Sequence, residues 1–211
     1  TSEERREEAI GLLYPPKSEY QFNDAIFQVL QAILNENIEL FDKVKESVQD
    51  WEFKDPYGIS LVHHAATAKN PYFLRYLIQQ RVNLLAKDEQ GFTALHHAAQ
   101  AGSLECIKLL VQEDFTLIEM KAQDGETPLF IAVQNGAYDA IDLFLELNAN
   151  PNCTIINDLS ALMWAIQCQD ETISLKLLDH QNIDIDYSLK GNISAIELAI
   201  DMQLPQVLRK L

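Results

Sequence analysis

The sequence is poor in the residues that punctuate loop-rich folds: glycine and proline each occur 7 times in 211 residues. That scarcity argues against collagen-like, low-complexity and turn-dense all-β architectures. Cysteine is scarcer still. Cys106, Cys153 and Cys168 are odd in number and form no C-x-x-C pair. Neither a disulfide framework nor a zinc ribbon is indicated, and a reducing, intracellular (cytoplasmic) compartment is the expected setting. No stretch approaches the roughly eighteen unbroken apolar residues of a membrane-spanning helix. The opening TSEERREEAIGLL lacks the apolar core of a signal peptide. It starts at Thr1 rather than Met, so a longer parent protein is expected. Lys and Arg are few, 16 against 32 Asp and Glu, for a net charge of −16. A surface of that sign repels phosphate backbones and anionic bilayers, so neither a nucleic-acid nor a membrane partner is expected. The phosphate-loop, dinucleotide, nucleophile-elbow and zinc-protease signatures are also missing.

What is present is enough apolar residue, 47% of the chain, to build a sizeable core without staples. The charge is uneven. Residues 1–55 carry 13 acids and 6 bases, residues 56–122 carry 6 and 6, and residues 123–211 carry 13 and 4. Solubility accounts for such an excess. The sharper reading is a partner with a basic surface docking on the C-terminal half.

The strongest feature is periodicity. Five segments align: YGISLVHHAATAKN from Tyr57, QGFTALHHAAQAGS from Gln90, DGETPLFIAVQNGA from Asp124, NDLSALMWAIQCQD from Asn157 and GNISAIELAIDMQL from Gly191. Their register residues, Gly58, Gly91, Gly125, Asp158 and Asn192, are 33 or 34 apart, and a Ser or Thr follows each by two (Ser60, Thr93, Thr127, Ser160, Ser194). A second amphipathic stretch follows in each, as in LECIKLLVQ from Leu104 and YDAIDLFLEL from Tyr138.

This pattern resembles the ankyrin repeat, G-x-T-P-L-H-x-A-A-x-x-G followed by a helix ending in L-L. GFTALHHAAQAG is the nearest segment to it, and GETPLF with NANPN comes next. The resemblance implies an all-α fold: a curved solenoid of stacked helix–turn–helix units with short β-hairpin tips. The residues agree with it. Ala65–Ala66, Ala98–Ala99 and Ala132 let helices approach closely. Glycine suits a turn of positive φ, and Asp158, Asn192 and Asn148 are the residues that best replace it there. Thr93 and Thr127 are natural N-caps, and Pro128 fits a first helical position. The expected organisation is an N-terminal helix and linker over 1–21, a divergent capping repeat over 22–54, repeats over 55–87, 88–121, 122–154 and 155–188, and a partial or capping repeat over 189–211. Within it, residues 2–13 read as a charged helix with an apolar strip at Ala9, Ile10, Leu12 and Leu13, stopped by Pro15 and Pro16. Two helices are expected near 24–34 and 37–48, broken at Asn35–Glu36, with Trp51 and Phe53 closing their edge. Leu109 and Leu110 should face the stack. If the array continues past Leu211, Ile193, Leu198 and Leu208 should be partly uncovered.

Four histidines invite a metal reading: His63–His64 and His96–His97. One repeat apart, the pairs should lie about 10 Å from each other, too far to share a zinc whose ligands sit about 2.0–2.1 Å from it. By the resemblance, His63 and His96 brace neighbouring turns by hydrogen bonds instead. Cys168 and His180 fall on different helices with no oxyanion loop, and Cys106 lies on an apolar face. No catalytic residue, metal or cofactor is expected, and the chain is not read as an enzyme.

The resemblance places a partner on the concave side, formed by the tips and the solvent face of the first helices. Transferred position by position, the partner-binding residues are Tyr57, Ile59, Gln90, Phe92, Asp124, Glu126, Ile156, Asn157 and Leu159 at the tips. Gln100, Gln134 and Gln167 join them from the first helices, with Thr67, Asn135 and Cys168 also exposed there. Bulky apolar groups ringed by polar ones are what a binding hot spot needs. Ile59, Phe92 and Leu159 are equally well explained as stacking on the next tip, and Trp164 as framework. The function expected is a non-enzymatic protein–protein interaction scaffold, its partner another protein with a basic surface or an extended segment. The alternative is a substrate-recruiting module of a larger enzyme, a ubiquitin ligase component or a bacterial effector acting in host cells.

Overall fold

The structure, a computed structural model, describes residues 24–189 and 193–211. The expected helix over 2–13, its stop at Pro15–Pro16, and the register residues Gly191 and Asn192 lie outside them. Twelve α-helices are present among the described residues, and the strand content is a pair of two-residue segments, so the all-α expectation holds. The chain divides after Gln49 into two compact units.

In the first unit, α1 (Asp24–Leu34) and α2 (Ile38–Val44) continue into a 3-10 turn, Lys45–Ser47. The break falls where expected. Glu36 takes a positive φ of 51°, and the Asn37 side chain accepts the Leu40 N–H at 2.9 Å, capping α2. Ile26, Val29, Leu30, Ile33 and Phe41 are buried. Ala32, 33 residues before Ala65, is buried too.

The second unit, Asp50–Leu211, is a run of helix pairs: α3 (Leu61–Thr67) and α4 (Tyr72–Gln79), α5 (Ala94–Ala101) and α6 (Leu104–Glu113), α7 (Pro128–Gln134) and α8 (Tyr138–Glu146), α9 (Ala161–Gln167) and α10 (Glu171–Leu178), α11 (Ala195–Asp201) and α12 (Pro205–Lys210). Each first helix packs on the next, from α3 through α11. The caps follow from the residues. The Thr127 hydroxyl accepts the Phe130 N–H, Ser160 the Met163 N–H and Ser194 the Glu197 N–H, satisfying donors that a helix start leaves open. Pro128 occupies the first turn, where its missing N–H is no loss. From the second of these layers on, the turn joining the two helices holds a left-handed residue. It is glycine at Gly102 and Gly136 but glutamine at Gln169 and Gln203, with φ between 56° and 65°.

Ahead of each first helix the chain makes a tip. Gly58, Gly91 and Gly125 have φ of 74°, 80° and 87°, and Asp158 takes the same region at 60°, as Asn148 does at 61° after α8. β structure at the tips is minimal: single bridges at Lys54–Ser60 and Thr154–Ser160, and an antiparallel pair of β1 (Ser188–Leu189) and β2 (Ile193–Ser194) in the last tip.

Two packing expectations are corrected. Leu110 is fully buried but Leu109 is only half-buried, because α6 turns Leu110 and Ile107 inward together. Trp51 packs its ring edge-on to Tyr76 at 5.3 Å. At the C-terminal end Ile193 is exposed and Leu208 half-buried, as expected, but Leu198 is buried. The uncovered residues there are Ile196 (45%) and Ile200 (56%). Their equivalents in earlier layers, Val62, Leu95, Leu129 and Leu162 for Ile196 and Ala66, Ala99, Val133 and Ile166 for Ile200, are all buried, because a following layer covers them.

That contrast is measurable. Ile166→Ala should cost about 2–5 kcal/mol in urea unfolding, as buried truncations do, whereas Ile200→Ala, at the same repeat position, should cost under about 1 kcal/mol. Equal costs would mean that Ile200 is covered. A second pair separates backbone strain from crowding. An alanine Cβ at Gly91 would stand 2.9 Å from the Gln123 nitrogen, and one at Gly136 would meet nothing within 4 Å. Both substitutions pay the left-handed penalty of about 1–2 kcal/mol, and Gly91→Ala should cost clearly more than Gly136→Ala in the same titration.

Candidate partner-binding site

The tips are built from the backbone outward. In the first, the Asp55 carboxylate accepts the N–H groups of Tyr57 and Ile59 at 2.9 and 2.8 Å. In the second, Asp88 accepts those of Gln90 and Phe92 at 2.9 and 2.8 Å. In both, the peptide closes back on itself, Gly58 N to Asp55 O and Gly91 N to Asp88 O. The third and fourth tips keep that closure with Ala122 and Ile155 in the aspartate's place. The repeat pattern alone does not single out Asp55 and Asp88; their signal in the sequence is an Asp three residues before the register glycine.

Successive tips are joined edge to edge. Glu89 N donates to Tyr57 O at 2.9 Å, Gln123 N to Gln90 O at 3.0 Å and Ile156 N to Asp124 O at 2.8 Å. This close approach is the second reason for glycine at position 91. The tips therefore form one continuous surface across four layers.

On that surface Tyr57 (55%) and Ile156 (63%) are the large apolar side chains most open to solvent. Gln90, Asp124 and Asn157 are exposed, as are Gln100 and Gln167 on the first helices with Thr67, Asn135 and Cys168; Gln134 is half-buried. Ile59, Leu159, Phe92 and Glu126 are half-buried. Phe92 is not an uncovered tip residue: its ring stacks parallel on His96 at 5.4 Å and meets the edge of His97 at 5.9 Å. Trp164 is half-buried against Phe130 at 5.9 Å, consistent with a framework role. Four of the expected residues, Gln90, Phe92, Asp124 and Glu126, come together with Gln123 around an open pocket of about 200 Å³. Tyr57, Ile59, Ile156, Asn157, Leu159 and the three first-helix glutamines do not line it. Burial pushes the Glu126 carboxyl above its ordinary range, and the charge of Asp124 adds to the effect.

Beneath the tips lie the histidines. The Ser60 N–H and hydroxyl lie 3.0 and 2.7 Å from His63 Nδ1, and Nε2 lies 3.1 Å from the carbonyls of Ala86 and Phe92 in the next layer. His96 repeats this with Thr93 and the Glu126 carbonyl. A backbone N–H on Nδ1 and carbonyls on Nε2 require the neutral ring with its proton on Nε2. The expected 10 Å between histidine pairs is corrected. The His63 and His97 rings lie edge to face at 5.2 Å, because the rings reach across the gap that separates the helix axes. His97 Nε2 lies 2.9 Å from Asp88 Oδ2. Among the described residues no three His, Cys, Asp or Glu side chains are placed to hold a metal ion. Cys106 and Cys153 are buried, and burial raises the Cys153 thiol to about 11, well away from a nucleophile's range. No described helix is long and apolar enough to cross a membrane.

A family model described as ankyrin repeats (3 copies) matches residues 29–118 and again 115–190. The chain belongs to the ankyrin-repeat family. Ankyrin repeats are in general protein–protein interaction modules and not enzymes. Over 75 residues, 36% of its length, the chain is 29% identical to the human transient receptor potential cation channel subfamily A member 1, and it spans 7% of that protein.

The buried imidazoles make this ankyrin array acid-sensitive. Burial holds His63 and His96 near 4, against an ordinary 6.5, with His97 opposing a further charge on both; Asp88 favours the charge on His63, and Lys87 opposes it on His96. The unfolded chain takes up these protons near 6.5 and the folded chain does not. Their contribution is therefore whole above pH 6.5, is lost between about 6.5 and 4, and falls no further below 4. Within that window each ring should steepen the loss by about 1.4 kcal/mol per pH unit. NMR titration should find both rings still neutral at pH 5.5. Titration of both at their ordinary value would overturn this account.

Proposed function

We propose that the chain is a non-enzymatic intracellular scaffold that holds a partner protein on its tips and the adjoining face of its first helices. The observation that carries this reading is the placement of Tyr57 and Ile156. They are large, apolar and open, and they stand on tips to either side of a polar, acidic pocket. Exposed apolar side chains of that size on a hydrogen-bonded, pre-formed surface supply anchors at little ordering cost. The charge favours a partner with a basic surface or an extended basic segment, since residues 123–211 carry 13 acids and 4 bases.

The test is a binding titration with the partner isolated on the immobilised chain. Tyr57→Ala and Ile156→Ala should each weaken binding by more than about 1 kcal/mol while leaving the thermal melt nearly unchanged. Tyr138→Ala, exposed on a second helix, is the control and should bind normally. Affinity should fall as salt rises, because exposed charges are screened within about 8 Å at physiological ionic strength. Normal binding by both tip variants would place the partner elsewhere.

A further inference from the structure

We infer that the pocket between the second and third tips takes the guanidinium of an arginine side chain presented by the partner, an inference that rests on the protein-binding reading above. Its five lining residues come from two layers: Gln90 and Phe92 from one tip, Gln123, Asp124 and Glu126 from the next. At about 200 Å³ it is smaller than the roughly 300–1,000 Å³ of a small-molecule site, and it suits a single inserted side chain.

The charge selects a cation. Neither Asp124 nor Glu126 forms an ion pair among the described residues. Lys87, at the base of the second tip, donates its Nζ to the Lys121 carbonyl at 2.7 Å instead. Glu126 is partly desolvated beside a second carboxylate, so an entering cation relieves a repulsion as well as making an attraction.

The remaining walls select the kind of cation. Phe92 is held by His96 stacked on it, and an aromatic ring set beside carboxylates offers a guanidinium both a stacking partner and acceptors. The Gln123 side-chain amide donates one of its two N–H groups to the Glu89 carbonyl, which leaves its oxygen to accept. An ammonium is a point charge that cannot stack and fork at once. Neighbouring tips do not reproduce the set. At the positions of Phe92, Asp124 and Glu126, the first and second tips place Ile59, Gln90 and Phe92, and the third and fourth place Glu126, Asn157 and Leu159. An aromatic facing two carboxylates occurs, among the described tips, at this junction alone.

The experiment is an NMR titration of the 211-residue chain with N-acetyl-arginine amide, N-acetyl-lysine amide and N-acetyl-citrulline amide. Citrulline keeps the shape of arginine without its charge. Arginine amide should give saturable shifts at Gln90, Phe92, Gln123, Asp124 and Glu126, with citrulline binding about tenfold more weakly or worse and lysine weaker than arginine. The Glu126 carboxyl should titrate at lower pH when arginine is bound. Asp124→Asn, whose exposed side chain carries no hydrogen bond of the fold, and Glu126→Gln should each weaken the arginine response. Citrulline or lysine matching arginine, or an arginine response that survives both substitutions, overturns the assignment. If arginine fails while partner binding still depends on Tyr57 and Ile156, the pocket is wrong and the scaffold reading stands. If arginine saturates the pocket but the tip variants bind the partner normally, the pocket stands and the docking surface is wrong.

Discussion

Successive first helices pack on one another, and Ala65, Ala98, Ala132, Ala165 and Ala199 recur in them at the same position, every one buried. A larger side chain there would hold adjacent helices apart. With them apart, the apolar side chains two and six residues beyond each cap would be left against water. Each layer depends on this contact, because a two-helix unit of about thirty residues cannot bury its own apolar face and must use a neighbour's. The last layer shows the consequence in reverse. Ile196 and Ile200 hold positions that are buried in every earlier layer, and they are open to solvent where no described layer follows.

Close approach of the first helices brings the tips together, and the polar interior of the stack then settles their shape. His63 and His96 each join a cap in their own layer to carbonyls in the next. The later layers fill the same position with Phe130, Met163 and Glu197. Phe130 and Met163 are buried apolar side chains, and Glu197 closes a capping box with Ser194. The cross-layer imidazole bond is thus confined to the layers whose tips also carry Asp55 and Asp88. The second and third tips, where the candidate pocket lies, sit directly over the His96 bond to Glu126. The surface that offers side chains to a partner is the outer side of this buried polar network. That explains how tips with so little β structure hold a defined geometry.

Much of this was legible in the chain itself. The spacing of the register glycines, the Ser or Thr two residues on and the paired helical periodicity determined the repeat and the left-handed positions at Asp158 and Asn148. They did so because each is a local requirement: φ sign, a cap acceptor and a 3.6-residue stripe are met by neighbours in sequence. The exposed tips were legible for the same reason, since position in the repeat fixes distance from the stack. What only the tertiary structure decided was which side chains meet across layers. Leu109 and Leu110 are indistinguishable as letters, but they point about 100° apart on α6, and the face that packs inward holds Leu110. Phe92 is covered because His96 lies flat beneath it, and His63 reaches His97 because ring length closes a gap measured between helix axes. The pocket at Gln90, Phe92, Gln123, Asp124 and Glu126 exists because two tips 34 residues apart are held within hydrogen-bonding distance. That is a property of the stack, and no single repeat contains it.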